Sequence, residues 1–481
     1  MEETDQERAR KIHLEELKER GMNPYPYKFE LTYCIKKIRE EAKSLTENKT
    51  LIKTAGRVMR KRGHGKVTFV DLEDKEGKIQ LYFKKGNTQP DYEIIECLDI
   101  GDWLGVEGFL FRTHRGELTI LVKRWQILSK SLLPLPEKWH GIKDKELKYR
   151  KRWLDLIMNP SSREVFKRRA KIISQIRNLL NSKGFLEVET PILQPIYGGG
   201  FAEPFKSYYK AMGCDFYLRI SDELYLKQLI VGGLEKVYEF GKDFRNEGMD
   251  RLHNPEFTQL EIYQAYADYE DMMKLVEEIF EVIAEKSVIK YQNNEIKITP
   301  PWRRIKFMDA LEEHLGKELE GKSLEELIAI GREQGIEEIG KEFYRGKVLE
   351  SLFDHIVQPK LLQPTFIVDY PKDVSPLAKE KRGNPTLVER FEVFIGGIEI
   401  GNAFSELNDP MEQLKRFEEQ NRFREEGDFL TQPLDENFIE ALKYGMPPTG
   451  GVGLGIDRIV MLLTNSYSIK EVIAFPPMRR V

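Results

Sequence analysis

The chain has 481 residues, more than one ordinary hydrophobic core accommodates, so two or more domains are expected. Hydrophobic residues make up 40% and charged residues 32%, and no apolar run approaches the ~18 residues of a membrane span, which excludes a helical membrane protein. The net charge of −4 excludes a uniformly basic nucleic-acid binder, so any such partner must be met by local basic patches.

In chain order, MEETDQERARKIHLEELKER reads as a helix that is polar on most faces. It lacks the apolar core of a signal peptide, which implies a cytoplasmic location. The prolines of GMNPYPYKF break that helix. The stretches LIKTAGRVMRK, KVTFVDLEDKEGKIQLYF, DWLGVEGFLF and ELTILVKRWQIL then follow as short strands with turn signals, the pattern of a small β-barrel. SLLPLPEKWHGIKDKE is a proline-marked linker. In the helix REVFKRRAKIISQIRNLLNSKG, Ile172, Ile173, Ile176, Leu179 and Leu180 form one buried stripe and Gly184 supplies a stop. The strand FLEVETP comes next. Residues 270–380 read as helices with less chemistry in them. The expected division is a helical extension at 1–50, a barrel at 51–135, a linker at 136–150 and an α+β domain at 151–481. Cys34, Cys97 and Cys214 form no CxxC pair and no HExxH occurs, so no zinc site is expected.

Three segments of the second domain carry chemistry. The first is FRNEGMDRLHNPEFTQLEIY, residues 244–263, two strand-like runs around a polar loop. Alternation places Phe240, Phe244, Leu260 and Ile262 on one face, and Arg245, Glu247, Phe257, Gln259, Glu261 and Tyr263 on the other. An arginine fork suits a carboxylate or phosphate, a glutamate accepts from an amine, and a phenylalanine stacks on a flat ring. A loop bearing Arg251 and His253 can reach over a polyphosphate. Together these predict a site for an anionic, base-bearing ligand, although any one of them also fits a solvated sheet face.

The second segment is RFEVFIGGIEIGNAFSELND, residues 390–409. Glu392 and Glu399 are the kind of carboxylate pair that holds Mg²⁺ together with substrate phosphates. Parity puts them on opposite faces, so the metal reading requires a bulge at Gly396-Gly397, and Gly401 can act likewise before Asn402, Phe404 and Glu406. The third segment is GGVGLGIDRIVMLL, residues 450–463, which fits neither GxGxxG nor GK[ST]. It reads as a glycine-rich strand feeding a helix whose Arg458 points away from the Ile456, Ile459, Val460, Leu463 stripe. A tight strand–helix junction with a surface arginine fits that segment equally well in isolation.

Taken together, these segments resemble the signature motifs of class II aminoacyl-tRNA synthetases: motif 1 at about 165–191, motif 2 (FRNEG…HNPEF) at about 238–264 and motif 3 (GLGIDR) at 450–463. Within the class the chain is similar to the lysyl-tRNA synthetase family, bacterial type, over nearly its whole length. The wording of HNPEFTQLEIYQAYADY, GNAFSELNDP, LPLPEKWHGIKDKELKYRKRWLDL and GIDRIVMLLTNSYSIKEVIAFP carries that likeness. The resemblance implies an α+β fold: an N-terminal OB-fold that binds the anticodon, then a catalytic domain with a mixed, mostly antiparallel sheet flanked by helices. It implies a homodimer formed through motif 1, and ATP, L-lysine and tRNA(Lys) as partners. The reaction implied is formation of lysyl-adenylate and pyrophosphate, then transfer of lysine to the tRNA 3′ end.

Site residues follow from the same resemblance. Arg245 contacts the α-phosphate and the amino-acid carboxylate. Glu247 accepts from the adenine amino group, Phe257 stacks on the ring, His253 reaches the outer phosphates, and Arg458 packs on the adenine or reaches the γ-phosphate. Glu392 and Glu399 hold Mg²⁺, more than one ion being expected with ATP. Glu261, Tyr263 and Glu406 take the ε-ammonium, Glu223 and the Gly199 backbone the α-ammonium, and Asn402 the carboxylate, with Phe404 beside them. By position alone Glu223 is equally a first-turn carboxylate complementing a helix dipole. In the barrel, Phe69, Gln80 and Arg62 are assigned to the anticodon, with Arg60, Lys61 and Lys66 as phosphate contacts. Two departures from the family pattern stand out: GGGFAEPF puts Glu203 where an arginine is usual, and DRLH moves Arg251 one place earlier.

Three rivals are weighed. An aspartyl- or asparaginyl-tRNA synthetase would need a cation where Glu261 and Glu406 stand. A catalytically dead RNA-binding paralogue is disfavoured by Arg245, Glu247, Glu399 and Arg458. A ligase that lysylates proteins is disfavoured by the presence of the barrel.

Overall fold

A computed structural model describes residues 3–136, 144–337, 339–340, 344–425 and 433–479. The chain divides into two compact units, residues 1–141 and 142–481. Residues 137–143 of the expected linker lie outside the described residues.

In the first unit, helix α1 (Asp5–Glu19) starts at a capping box in which the Thr4 side chain accepts from the Glu7 amide and the Glu7 side chain accepts from the Thr4 amide. Five strands close into a barrel: β1 (Ile52–His64), β2 (Val67–Glu73), β3 (Lys78–Lys84), β4 (Trp103–Arg112) and β5 (Leu118–Ser129). Their order is β1-β2-β3-β5-β4, with β3 and β5 parallel and the other pairs with recorded register antiparallel, the arrangement of an OB-fold. Inward residues such as Val70, Leu72, Ile79, Leu81 and Phe83 fill it, and Leu17 of α1 joins their cluster.

The second unit is built on a mixed sheet. Its strands are β6 (Leu186–Glu187), β7 (Lys236–Phe244), β8 (Glu256–Ala265), β9 (Arg303–Lys306), β10 (Thr365–Pro371), β11 (Asn384–Ile395), β12 (Ile398–Ser405) and β13 (Thr449–Gly455). The order is β9-β10-β11-β12-β13-β8-β7-β6, with the short strand Glu380–Lys381 paired to β11 off this path. Only the two outermost pairs, β9 with β10 and β7 with β6, are parallel. Of the FLEVETP stretch, Leu186 and Glu187 alone form strand.

One sheet face packs on helices. Helix α2 (Pro160–Ser182) contributes Ile172, Ile176 and Leu180, with Ile173 and Leu179 partly buried beside them. Gly184 follows with φ 80°, a left-handed stop that favours glycine. Helix α4 (Tyr269–Ile283) and helix α5 (Ile456–Thr464) complete this layer; between α2 and α4 in sequence comes α3 (Glu223–Val231). The opposite sheet face is covered in part by helical residues such as Phe307, Leu352 and Phe353, packed on Ile367, Tyr370 and Phe394, and Leu226, Ile230 and Phe438, packed with Val237 and Tyr263; the charged residues of the site lie on the remainder of that face.

Candidate active site

Register decides which side chains share that face. In the β7–β8 hairpin Glu239 opposes Glu261, Gly241 opposes Gln259 and Asp243 opposes Phe257. The even-numbered Tyr238, Leu260 and Ile262 lie in the core, with Phe240 packed against it. Strand alternation therefore reads correctly within this hairpin. On the other side of β8, strand β13 sets Gly451, Gly453 and Gly455 opposite Tyr263, Glu261 and Gln259. A Cβ at Gly451 would overlap the Glu406 carboxylate and the Tyr263 ring, and one at Gly453 would overlap Glu261 and Gln259. The glycine lane makes the floor on which these side chains lie.

The β11–β12 hairpin corrects the expected bulge at Gly396-Gly397. Both glycines have positive φ, 66° and 75°, as the two central residues of a type I′ turn require, and Ile395 opposes Ile398 directly. Parity fails across this point because the chain reverses: Glu399 opposes Phe394, which shares a face with Glu392. The bulge falls next to Gly401. Gly401 opposes Val393 while Glu399 opposes Phe394, so Ile400 is the extra residue. That single slip lets Glu399 and Asn402, two strand positions of different parity, face the site together. Asn402 opposes Glu392 and Phe404 opposes Arg390. Glu406 continues the line as its amide donates to the Thr449 carbonyl at 2.8 Å.

These elements enclose a cavity of about 340 Å³. Gly199, Glu223 and Asn402, the residues Arg245, Glu247, His253 and Phe257, and the set Glu261, Tyr263, Phe404 and Glu406 all line it, as do Glu392, Glu399 and Arg458. At one end the Arg245 guanidinium lies 5.1 Å from the centre of the Phe257 ring, and its Nε is a buried donor with no hydrogen-bond partner. Arg458 donates to the Glu399 carbonyl and carboxylate, both at 2.9 Å, and its other terminal nitrogen lies 3.0 Å from His253 Nε2. The His253 ring is held through Nδ1 by Asp250 at 2.8 Å.

Glu392 accepts from Arg390 at 2.5 Å and from the Tyr370 hydroxyl at 2.9 Å. Burial pushes its carboxyl up to about 7 against the pull of Arg390, and Glu399 and Glu350 add to the rise. Burial also raises Glu399, but Arg458, with Arg245 and Arg390, outweighs it and the net shift is downward. Among the described residues no three His, Cys, Asp or Glu side chains converge as an all-protein metal cage. Two like-charged carboxylates on one face, completed by substrate phosphates, are nonetheless a donor set that suits Mg²⁺.

At the other end the Tyr263 hydroxyl donates to Glu261 at 3.0 Å. Burial raises the Glu261 carboxyl to about 8, and Glu223 and Asp243 nearby add to it. Glu406 is also raised to about 8 by burial, opposed by Lys227. Asn402 accepts from Arg390 Nε at 3.1 Å through its amide oxygen. An arginine donor at one end and a carboxylate–phenol group at the other match a ligand with an anionic head and a cationic tail.

The comparisons with known proteins agree with this reading. Residues 144–479 match the tRNA synthetases of class II (D, K and N), and residues 52–128 match the OB-fold nucleic acid binding domain. A lysine–tRNA ligase from Pelotomaculum thermopropionicum is 50% identical over 98% of this chain and 94% of its own length. Those of Thermoanaerobacter pseudethanolicus and Clostridium perfringens are 51% and 49% identical, over 98% and 99% of this chain and 95% and 96% of their own lengths. The chain belongs to the class II lysyl-tRNA synthetases.

Several features of this synthetase escape a reading of its sequence. Arg390 holds Asn402 and Glu392 while bonded to Ser375 Oγ at 2.9 Å and the Val374 carbonyl at 3.0 Å; its even-face parity with Glu392 was the available signal. Glu350 and Ser375 also line the cavity, so the 270–380 region carries more chemistry than expected. Glu223 is neither a simple dipole complement nor a lone acceptor, because it is paired with Lys227 four residues on. Arg251 is turned from the polyphosphate role: it donates to the Tyr291 hydroxyl at 3.3 Å and stacks 5.2 Å from the Tyr467 ring. The displaced arginine of DRLH thus anchors its loop. Glu203 is exposed and its carbonyl accepts from the Asn246 amide at 2.8 Å, tying the glycine loop to the motif 2 loop.

On the barrel, Arg62 opposes Phe69 and Gln80 opposes Asp71, so all lie on the outer face. The aromatic patch is wider than expected, since Tyr82 lies 5.1 Å from Phe69 and 5.7 Å from Phe111. Lys61 is no phosphate contact: its ammonium donates to the carbonyls of Ile95, Glu96 and Leu98. Among the described residues no helix is long and apolar enough to cross a membrane.

Proposed function

We propose that the pocket holds L-lysine and ATP side by side, joins them as lysyl-adenylate with release of pyrophosphate, and then passes lysine to the 3′ end of tRNA(Lys) with release of AMP. The observation that carries this is the pairing of Glu261, Tyr263 and Glu406 on one floor with the unpartnered Arg245 donor at the far end. A buried ammonium needs anionic acceptors, and two carboxylates with a phenol suit its three donors.

The lysine carboxylate attacks the α-phosphorus of ATP, forming the new C–O–P bond as the bond to pyrophosphate breaks. Arg245 bridges these two anions and stabilises the charge between them, with no covalent enzyme intermediate. Asn402, its oxygen engaged by Arg390, turns its N–H donors to the substrate carboxylate. Glu223 and the Gly199 backbone take the α-ammonium, and Phe404 packs on the alkyl chain. Glu247 accepts from the adenine amino group, Phe257 stacks on the ring, and His253 and Arg458 meet the outer phosphates. Glu392 and Glu399 would hold Mg²⁺, which neutralises the phosphate oxygens when bound. In the barrel, Phe69, Gln80 and Arg62 read the anticodon. The enzyme acts in the cytoplasm as a homodimer formed through α2 and the segment that follows it.

Glu406→Gln tests the amino-acid half. Loss of a charge-assisted hydrogen bond in a closed site costs about 1.5–3 kcal/mol. Lysine affinity in calorimetry should fall by one to two orders of magnitude with ATP affinity held; unchanged lysine affinity would remove the ε-ammonium assignment.

A further inference from the structure

Lys227 does not itself line the cavity but pairs with two carboxylates that do, Glu223 and Glu406, and no role in the reaction accounts for it. It sits one helical turn after Glu223 on α3, the i, i+4 spacing that brings two side chains to one face. Its side chain has 0% exposure. The ammonium is 2.5 Å from Glu223 Oε1 and 2.5 Å from Glu406 Oε2, and its remaining side faces the Phe438 ring at 6.0 Å. One resident lysine therefore touches two of the carboxylates that would receive the substrate's ammonium groups.

We infer that Lys227 is a positioning residue: its ammonium is the fixed counter-ion that favours the charged form of Glu406 and aims Glu223 and Glu406 at the two ends of the substrate lysine. This rests on the assignment of those carboxylates proposed above. The charges agree with it. Glu223, Glu261 and Glu406 carry three negative charges when ionised, and Lys227 balances one. The two left over equal the two ammonium groups of lysine, whose own carboxylate is met by Arg245. A neutral amino acid leaves one of them unbalanced in a buried pocket, which the pocket resists. A structural ion pair tying α3 to the sheet would need only one of the two glutamates.

The surroundings make that counter-ion necessary. Asp222 at the start of α3, Asp243 and Glu239 on β7 and Glu261 on β8 all crowd the same region, with the Tyr263 hydroxyl among them. Arg219 is committed to Glu239 at 2.7 Å and Asp243 at 3.2 Å, and Arg245 acts on Asp243 while its guanidinium rests on the Phe257 ring. Lys227 is the cation in contact with Glu406. It draws Glu406 toward the charged form against burial; without it that carboxyl would retain its proton to higher pH, and a protonated carboxyl is a poor acceptor for an ammonium.

The test is the pH profile of kcat/KM for lysine in ATP–pyrophosphate exchange, comparing the parent with Lys227→Met. The variant should raise KM for lysine roughly tenfold or more while leaving KM for ATP near the parental value, as expected for loss of a charged partner. Its acidic limb should move to higher pH by about one unit or more, the effect of removing an opposite charge within ~4–6 Å of a carboxyl group. Lys227→Arg, which keeps the cation, should hold the limb near the parental position. An acidic limb of Lys227→Met that coincides with the parent overturns the proposal, because a purely structural lysine lowers activity without moving the profile. Should Lys227→Met not fold, Lys227→Gln keeps a hydrogen-bond donor without the charge and is compared with the parent in the same assay. A limb displaced upward supports the counter-ion role, and coincident limbs overturn it. If Glu406→Gln leaves lysine affinity intact, the pocket assignment itself has failed; if it weakens lysine while the limb of Lys227→Met stays put, only the role of Lys227 has.

Discussion

At the scale of single residues, the proposed mechanism turns on Arg245. Its backbone extends the β7–β8 ladder by donating to the Pro255 carbonyl at 2.9 Å, and its guanidinium rests on Phe257. That leaves a planar fork fixed in place with a donor still to be used. A lysine at this position offers one point charge where two anions must be bridged. Arg245→Lys should therefore slow adenylate formation far more than it weakens ATP binding. Removing a pre-aligned donor at developing charge costs on the order of 3–4 kcal/mol, about a hundred- to a thousandfold in rate. Rapid quench at saturating ATP and lysine measures this, and a parental rate would mean that the arginine is only a charge on a strand face.

At the scale of elements, the floor of the site depends on strand β13 having no side chains where it passes β8. Gly453 lies opposite Glu261, and a methyl group there would push into both Glu261 and Gln259. Overpacking of this kind costs about 1–3 kcal/mol. Gly453→Ala should lower kcat/KM for lysine in pyrophosphate exchange by roughly one order of magnitude, with KM for ATP changed much less. Equal damage to both substrates would mean that the glycine serves the sheet and not the lysine end. The same elements explain what the sequence could and could not reveal. Alternation along β7 and β8 was readable because register there follows from local parity. It misled at Gly396-Gly397, where a two-residue turn reverses the chain and a slip at Ile400 restores the common face. Those events depend on which strand pairs with which. Arg390, Glu350 and Lys227 stayed hidden for a related reason: each acts through partners far away in sequence or on another element, as Lys227 does through Glu406. Arg251 shows the converse, an attractive residue type whose side chain is spent on Tyr291 and Tyr467.

At the scale of the molecule, the chain forms two compact units, and the proposed function gives each its own recognition task. The outer barrel face, with Phe69, Tyr82 and Phe111 grouped and Arg62 and Gln80 beside them, is a stacking platform with polar edges. Phe69→Ala should cost tRNA aminoacylation about 1–3 kcal/mol of stacking and leave lysine-dependent pyrophosphate exchange untouched; loss in both assays would remove the barrel from anticodon reading. The central claim concerns the other unit, where the sign of the charges at Glu223, Glu261 and Glu406 selects a cationic amino acid. ATP–pyrophosphate exchange in the absence of tRNA, run with each protein amino acid in turn, tests it directly. Lysine should support exchange and aspartate and asparagine should not; exchange with either of those at a rate comparable to lysine, or none with lysine, would contradict the account.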